Sequence, residues 1–129
     1  MKFAYTILYV RDVTLSLAFY ESAFGLKRRF LHESGMYGEL ETGSTTLSFV
    51  GNELAMSTIP GGFQPSDSAR PPASFEIAFA TEDVAAAFDR AVKAGAAATV
   101  PPKVKPWGQT VAYVRDMDGH LVELCTPMP

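Results

Sequence analysis

The sequence is poor in cysteine and contains no long hydrophobic run. Cys125 is the single cysteine among 129 residues, so an intrachain disulfide is excluded. No apolar stretch approaches the roughly 20 residues that span a bilayer. The first residues alternate like a strand and do not form a charged segment followed by a long apolar core. We therefore expect a cytoplasmic protein that has no signal peptide and binds no membrane.

Basic residues are also few. Eleven lysines and arginines stand against 14 acids, which gives a net charge of -3. A general nucleic-acid binder shows a basic stripe, so we expect no nucleic-acid partner. The one cationic cluster, Lys27 to Arg29, is interpreted as the solvated end of a strand. Hydrophobic residues are abundant. They make up 47% of the sequence and charged residues 19%, a composition typical of a folded globular domain.

The first half, up to about residue 58, predicts a strand, a helix and three more strands. Residues 3–10 are rich in β-branched and aromatic types, and Asp12 follows them as a helix N-cap. Gly25 is typical of the end of that helix. One helical face and the later strand signals complete the pattern: Val13, Leu17, Tyr20 and Phe24, then residues 28–33, 36–42 and 45–50.

The second half, from about residue 74, repeats this order. Residues 75–80 predict a strand, Asp83 a helix N-cap and Gly95 the helix end. The remaining signals are a strand at 97–100, a proline-rich loop at 101–106 and a hairpin that joins 109–115 to 120–126 through an Asp-Gly turn. Between the halves, residues 59–73 are rich in proline and glycine and predict a linker, preceded by a short strand near 53–58.

The two halves match in position as well as in order. Asp12 and Asp83 are 71 positions apart, and the same offset relates Tyr5 to Glu76 and Leu8 to Phe79. A repeat of this length predicts duplication of one supersecondary unit. The predicted fold class is α+β, a single domain over residues 1–129. Two tandem βαβββ modules form a cupped, mostly antiparallel sheet with helices on its outer face.

Strand alternation separates the two faces of that sheet. Leu8 and Phe79 are predicted to lie beneath the helices, which turns Tyr5 and Glu76 into the cup. The residues predicted for the cup are Tyr5, Ile7, Tyr9, Ser48, Glu76, Glu123 and Cys125, with Trp107 near its mouth.

Two carboxylates in an apolar, aromatic cup are informative. An ionised acid is costly to bury alone, so Glu76 and Glu123 each need a cation, a metal, a hydrogen-bond donor, water or a proton. A metal or acid–base pair is one interpretation. A wet cavity edge or a dimer contact is the other.

The sequence resembles a known superfamily over nearly its whole length. The resemblance rests on residues 5–12 (YTILYVRD), 16–20 (SLAFY) and 24–26 (FGL) near the start and on residues 107–109 (WGQ), 115–120 (RDMDGH) and 122–124 (VEL) near the end. These stretches are similar to the vicinal-oxygen-chelate superfamily of glyoxalases, bleomycin-resistance proteins and extradiol dioxygenases. The resemblance implies paired βαβββ modules, a deep cup and a homodimer.

The resemblance also implies four metal-ligand positions, usually His or Gln, Glu, His and Glu. They fall on Tyr5, Ser48, Glu76 and Glu123, and only Glu123 keeps the family's residue type. The two histidines, His32 and His120, lie elsewhere; His120 is expected at the surface, and His32 reaches the cup only if its strand shifts by one residue. We therefore expect no tightly bound catalytic metal, with a divalent nickel, zinc or manganese ion as the alternative.

Two functions from different classes remain open, since a fold does not decide function. The first is a metal-free protein that sequesters an aromatic or cationic small molecule such as an antibiotic. Its predicted ligand-binding residues are Tyr5, Tyr9, Ser48, Glu76, Trp107, Tyr113 and Glu123. The second is a glyoxalase-like lyase or isomerase in which Glu123 is the catalytic general base, with a divalent metal completing the site.

Overall fold

The computed structural model describes all residues from 1 to 129 and divides them into two compact units. The first unit comprises Met1–Glu21 and Gly25–Pro65, and the second comprises Ser22–Phe24 and Ser66–Pro129. None of the helices is long and apolar enough to cross a membrane.

The first unit contains a four-stranded sheet. Its elements are β1 (Tyr5–Val10), α1 (Val13–Phe24, whose last three residues belong to the second unit), β2 (Lys27–Leu31), β3 (Tyr37–Glu41), β4 (Thr46–Gly51) and α2 (Asn52–Thr58). The strand order is β1-β4-β3-β2. β1 runs parallel to β4, and the other two pairs are antiparallel.

The second unit repeats this plan. Its elements are β5 (Ile77–Ala80), α3 (Val84–Lys93), β6 (Ala97–Val104), β7 (Thr110–Arg115) and β8 (Leu121–Cys125), and the strand order is β5-β8-β7-β6. Again the first strand is parallel to the last, and the other pairs are antiparallel. The predicted α+β fold of two tandem βαβββ modules is confirmed.

The two main helices begin where the sequence places their caps. The Asp12 carboxylate accepts the N–H of Leu15 at 3.0 Å, and the Asp83 carboxylate accepts that of Ala86 at 3.0 Å. Each bond satisfies one of the amide groups that a helix start leaves without a partner. α1 ends at Gly25, whose φ of 68° is the left-handed conformation that glycine adopts without strain.

Each helix covers one face of the sheet in its unit. Leu8 and Phe49 are fully buried in the first unit, where the rings of Tyr20 and Phe49 lie 5.0 Å apart. In the second unit Phe79 packs against Leu124 beneath α3. Burial of one such side chain contributes roughly 1.5–3 kcal/mol. Leu8 and Phe79 therefore lie under the helices, as the alternation predicts.

The segment near residues 53–58 is helix α2, so the prediction of a strand there is wrong. Gly51 on the preceding strand is the N-cap, and Glu53 lies in the first turn, where a negative charge complements the helix dipole. Leu54, Ala55 and Met56 are strong helix formers. These local preferences outweigh the strand-like spacing of the apolar residues.

The predicted loop at residues 101–106 is also partly wrong, because β6 continues to Val104. β6 is an edge strand, and its pairing with β7 is irregular between Val100 and Lys103. Proline lacks an N–H to donate, so it is tolerated at edges and irregularities of a sheet. Pro101 and Pro102 lie in that irregularity.

Candidate functional site

An acid pair, Glu76 and Glu123, lies in the second unit. Glu123 is on β8, directly between Ala78 of β5 and Tyr113 of β7. Glu76 immediately precedes β5. The neighbouring Glu123 carboxyl, as a hydrogen-bond acceptor for a protonated Glu76, is the largest cause that raises the pKa of Glu76 to about 7, followed by burial and by repulsion between the two charges. Glu76 is therefore partly protonated near neutral pH, which limits the repulsion between the two side chains.

Two neutral donors flank the acid pair. The Tyr113 hydroxyl donates to Glu123 Oε2 at 3.4 Å. Burial, and next the charge of Glu123, raise the pKa of Tyr113. The same two causes raise the pKa of the Cys125 thiol. Tyr113 and Cys125 thus stay protonated at neutral pH, so the thiol is a weak nucleophile and a poor metal ligand.

No basic side chain neutralises the acid pair. The ion pairs of the protein involve other acids, and no cation contributes to the pKa of Glu76. Glu76 is exposed, and Glu123 is partly exposed. The second sheet therefore presents an accessible pair of acids without a basic partner, whose mutual repulsion is relieved by protonation of Glu76.

The corresponding face of the first sheet is electrostatically satisfied. The acid there is Glu39 on β3, paired in register with Ser48 on β4. The Tyr37 hydroxyl donates to Glu39 Oε2 at 2.5 Å, and Arg29 Nε lies 3.6 Å from Glu39 Oε1. Arg29 also donates to the Thr46 hydroxyl at 3.2 Å.

Ser48 lies beneath this network with its hydroxyl unpaired. It is fully buried, and its Oγ has no hydrogen-bond partner. Burial and the bond to Glu39 raise the pKa of Tyr37; the Ser48 hydroxyl offsets part of that shift, although its geometry falls short of a hydrogen bond. Sequence reasoning missed Tyr37 and Glu39 because it considered only the first and last strand of each module. The alternation of Tyr37, Glu39 and Glu41 along β3 is the signal that it left unused.

The predicted aromatic residues occupy different environments. Tyr5 is 51% exposed, whereas the Tyr9 ring packs on Phe63 with centroids 4.7 Å apart. Trp107 is 56% exposed in the turn between β6 and β7. Its indole N–H donates to Gln109 Oε1 at 2.7 Å, so the ring is oriented by a hydrogen bond and still open to solvent.

The predicted site residues are therefore distributed over both units. Glu76, Glu123 and Tyr113 come together in the second unit. Tyr5 and Ser48 lie on adjacent strands of the first. Convergence of the two sets on one cup stays a prediction.

The family's metal positions do not fit a transition metal in this chain. Two of them, Tyr5 and Ser48, offer hydroxyls, and Ser48 is fully buried. The other two, Glu76 and Glu123, offer carboxyl groups. Zinc and nickel sites in proteins rely on imidazole or thiolate ligands, and manganese sites on several ionised carboxylates, whereas this donor set supplies two carboxyl groups, two hydroxyls and no imidazole.

Another cluster of possible ligands closes the turn between β7 and β8. Asp116, Asp118 and His120 are buried, and their ligand atoms lie within 4.8 Å of one another. Asp116 Oδ1 accepts the backbone N–H of Asp118 and of His120, and the His120 ring donates to Asp116 Oδ2 at 3.0 Å. The prediction of a surface His120 is wrong, because Asp116 binds its ring in the interior. These bonds account for the cluster as a structural turn.

The comparisons with known proteins agree with this architecture. The family model described as the Glyoxalase/Bleomycin resistance protein/Dioxygenase superfamily matches residues 2–124, and the chain belongs to that superfamily. No curated protein matches the chain.

Solved structures share the fold at low identity. A glyoxalase-related enzyme from Fulvimarina pelagi is 24% identical with a TM-score of 0.83, over 98% of this chain and 88% of that one. A protein of unknown function from Agrobacterium tumefaciens is 29% identical with a TM-score of 0.76, over 98% and 94%. TioX from Micromonospora sp. ML1 is 21% identical with a TM-score of 0.72, over 98% of both chains.

Proposed function

We propose that the protein binds a small organic cation with aromatic character and that the acid pair is its anionic anchor. The observation that supports this proposal is the absence of any basic partner for Glu76 and Glu123. Two nearby carboxylates favour positive charge in a ligand. A cation can replace the proton on Glu76 and keep both acids ionised.

Aromatic groups of the second unit suit the rest of such a ligand. Tyr113 contacts Glu123 directly, so a cation at the acid pair is close to an aromatic ring. An aromatic face attracts a cation by roughly 0.5–2 kcal/mol. The exposed indole of Trp107 offers a further stacking surface. Sequestration of a basic aromatic antibiotic is the form of this function that the superfamily's bleomycin-resistance proteins suggest.

A glyoxalase-like lyase or isomerase is the second candidate. Its support is the pKa of Glu76 near 7, because an acid–base group works best when its pKa is close to the working pH. In this alternative Glu123 is the catalytic base and Glu76 is the neighbouring acid. The donor set does not fit the divalent metal that stabilises an enediolate in such chemistry, and this favours binding over catalysis.

We also propose that the protein is a homodimer of the cytoplasm. Tyr5 and Ile7, two positions apart on the edge strand β1, expose 51% and 45% of their surface, and apolar side chains exposed together are typical of interaction surfaces. The lone cysteine suits a reducing compartment. Light scattering tests the dimer; a monomer at micromolar concentration contradicts it.

Calorimetry with charge-matched probes tests the binding function. Bleomycin and benzyltrimethylammonium supply the cation, and benzyl alcohol is the neutral aromatic control. We expect Glu123→Gln to weaken binding of both cations by at least about tenfold, which corresponds to 1.4 kcal/mol. Glu82→Gln, which removes an exposed acid from the same unit, leaves binding unchanged.

Two results contradict the proposal. One is that neither cation binds more tightly than benzyl alcohol. The other is turnover of a methylglyoxal–thiol adduct that Glu123→Gln abolishes, since this supports the lyase instead.

A further inference from the structure

A cavity of about 360 Å³ lies in the second unit, on the side of β5 that faces α3. Its volume is within the usual range of small-ligand pockets, about 300–1,000 Å³. The lining residues, all of the second unit, are Ala23, Phe24, Phe79, Ala80, Thr81, Asp83, Ala86, Ala87, Arg90 and Leu124. Neither Glu76 nor Glu123 lines this cavity, so it is separate from the acid pair.

Small side chains leave this space open. Ala86 and Ala87 occupy the stretch of α3 between Asp83 and Arg90, where larger residues would fill the cavity. The opposite wall is aromatic, because the rings of Phe24 and Phe79 lie 5.1 Å apart with an interplanar angle of 42°. The apolar part of the lining consists of alanine methyl groups, Leu124 and two rings, against which a flat apolar group can pack, and Thr81, Asp83 and Arg90 make the rest polar.

The guanidinium of Arg90 is the one cationic group in the lining of this cavity. Arg90 Nε donates to the carbonyl oxygen of Ser22 at 2.9 Å, which orients the guanidinium. Its two Nη atoms make no hydrogen bond or ion pair within the protein. A guanidinium held by one N–H offers its remaining donors to a carboxylate in a defined direction.

Asp83 is the acidic residue of the lining, and it lies at the N-terminal end of α3. Asp83 precedes Arg90 by seven residues, or about 10 Å along a helix axis, and its Oδ1 already accepts the N–H of Ala86. A second anionic group on a ligand is therefore disfavoured near Asp83, whereas a single carboxylate at Arg90 is favoured.

We propose that this cavity binds a small aromatic monocarboxylate, with its carboxylate on Arg90 and its ring against Phe24 and Phe79. Charge, shape and volume agree on this class of ligand. The site is independent of cation binding at the acid pair, since it has the opposite charge and different residues.

Amide NMR titration with phenylacetate tests the site. The expected result is a set of saturable shifts at Ala23, Thr81 and Ala87 that benzylamine, the cationic counterpart, does not produce. Arg90→Gln is expected to weaken phenylacetate at least tenfold, and Lys93→Gln, which removes a charge from the same helix outside the cavity, to leave it unchanged.

Two alanine-to-leucine variants provide a second test that does not depend on the folding of Arg90→Gln. Ala86→Leu projects into the cavity and should abolish the phenylacetate shifts. Ala85→Leu makes the same change at an exposed neighbour outside the lining and should preserve them. The proposal is overturned if phenylacetate shifts no lining amide, or if both leucine variants bind it equally.

Discussion

Ser48 and Glu123 occupy corresponding places on the last strands of the two modules, yet they have opposite electrostatic surroundings. On the first sheet Ser48 is buried beside Glu39, which has both a tyrosine hydroxyl and a guanidinium as partners. On the second sheet Glu123 has another acid and a tyrosine. Duplication has thus given one scaffold two polar faces, of which the first is satisfied internally and the second is not.

Under the proposed function, this difference assigns ligand binding to the second sheet. The donors and acceptors of the Glu39 network are already bonded to one another within the protein. The network therefore serves mainly to stabilise the first sheet. An acid pair without a basic partner costs stability. Such a cost is typical of functional sites, where local strain is retained for a purpose.

The largest effect is expected when the two faces are made alike. Ser48→Glu places an acid at a fully buried position, and Arg29, the cation of the adjacent network, is already paired with Glu39 and Glu41. We expect a loss of roughly 3–5 kcal/mol in the free energy of unfolding, measured by urea denaturation. A variant as stable as the parent would show that the first face can also carry an acid pair.

A smaller loss is expected when the first network is broken. Glu39→Ala removes the acceptor of Tyr37 and the partner of Arg29, and should cost about 1–3 kcal/mol. Glu41→Ala is the matched control: Glu41 is mostly exposed and lies 3.9 Å from the same guanidinium, so its loss should cost under about 1 kcal/mol. Equal costs for the two variants would mean that the Tyr37–Glu39 bond contributes nothing.

The second face should make stability depend on pH. The pKa of Glu76 is about 7 when folded, against an ordinary value of 4.5, so between these values the folded protein binds more protons than the unfolded one. Stability is then highest below about pH 4.5 and falls as pH rises through 7. Because Glu76 is exposed, the change should stay under about 1 kcal/mol.

Thermal unfolding at pH 5 and pH 8 measures this change. Glu76→Gln should flatten the dependence, while Glu82→Gln should retain it. The change in stability between pH 5 and pH 8 is compared in the parent and in Glu76→Gln. If it is the same in both, the raised pKa of Glu76 is contradicted.

The smallest effect concerns the unpaired hydroxyl. Ser48→Ala removes a buried Oγ that has no partner, so it loses no hydrogen bond and sheds a desolvation cost. We expect stability to stay within about 0.5 kcal/mol of the parent or to rise. A loss above 1 kcal/mol would reveal a partner for Ser48 through bound water.

Local signals account for the parts of the fold that the sequence predicts well. Asp12 and Asp83 act through hydrogen bonds three residues away, and the 71-residue offset follows directly from their positions. Strand alternation likewise places Leu8 and Phe79 correctly. In α2, local helix preferences and apolar spacing disagree, and the prediction followed the weaker signal.

The candidate site depends more on contacts distant in sequence. Glu76 and Glu123 are neighbours because β5 and β8 pair in parallel, a register that the duplication suggests but that only the sheet fixes. The burial of His120 follows from the position of one carboxylate, Asp116. The partners of Glu39 come from β2 and β3, and their roles emerge only when those strands pair.

Proton release on ligand binding tests most directly the claim that a cation takes the place of the proton on Glu76 beside Glu123. The measurement is calorimetry of benzyltrimethylammonium binding at pH 7 in two buffers with different ionisation enthalpies. A pKa near 7 predicts release of about half a proton per cation bound and an affinity that rises about tenfold from pH 6 to pH 8. Binding without proton release, and with the same affinity at both pH values, would contradict the account.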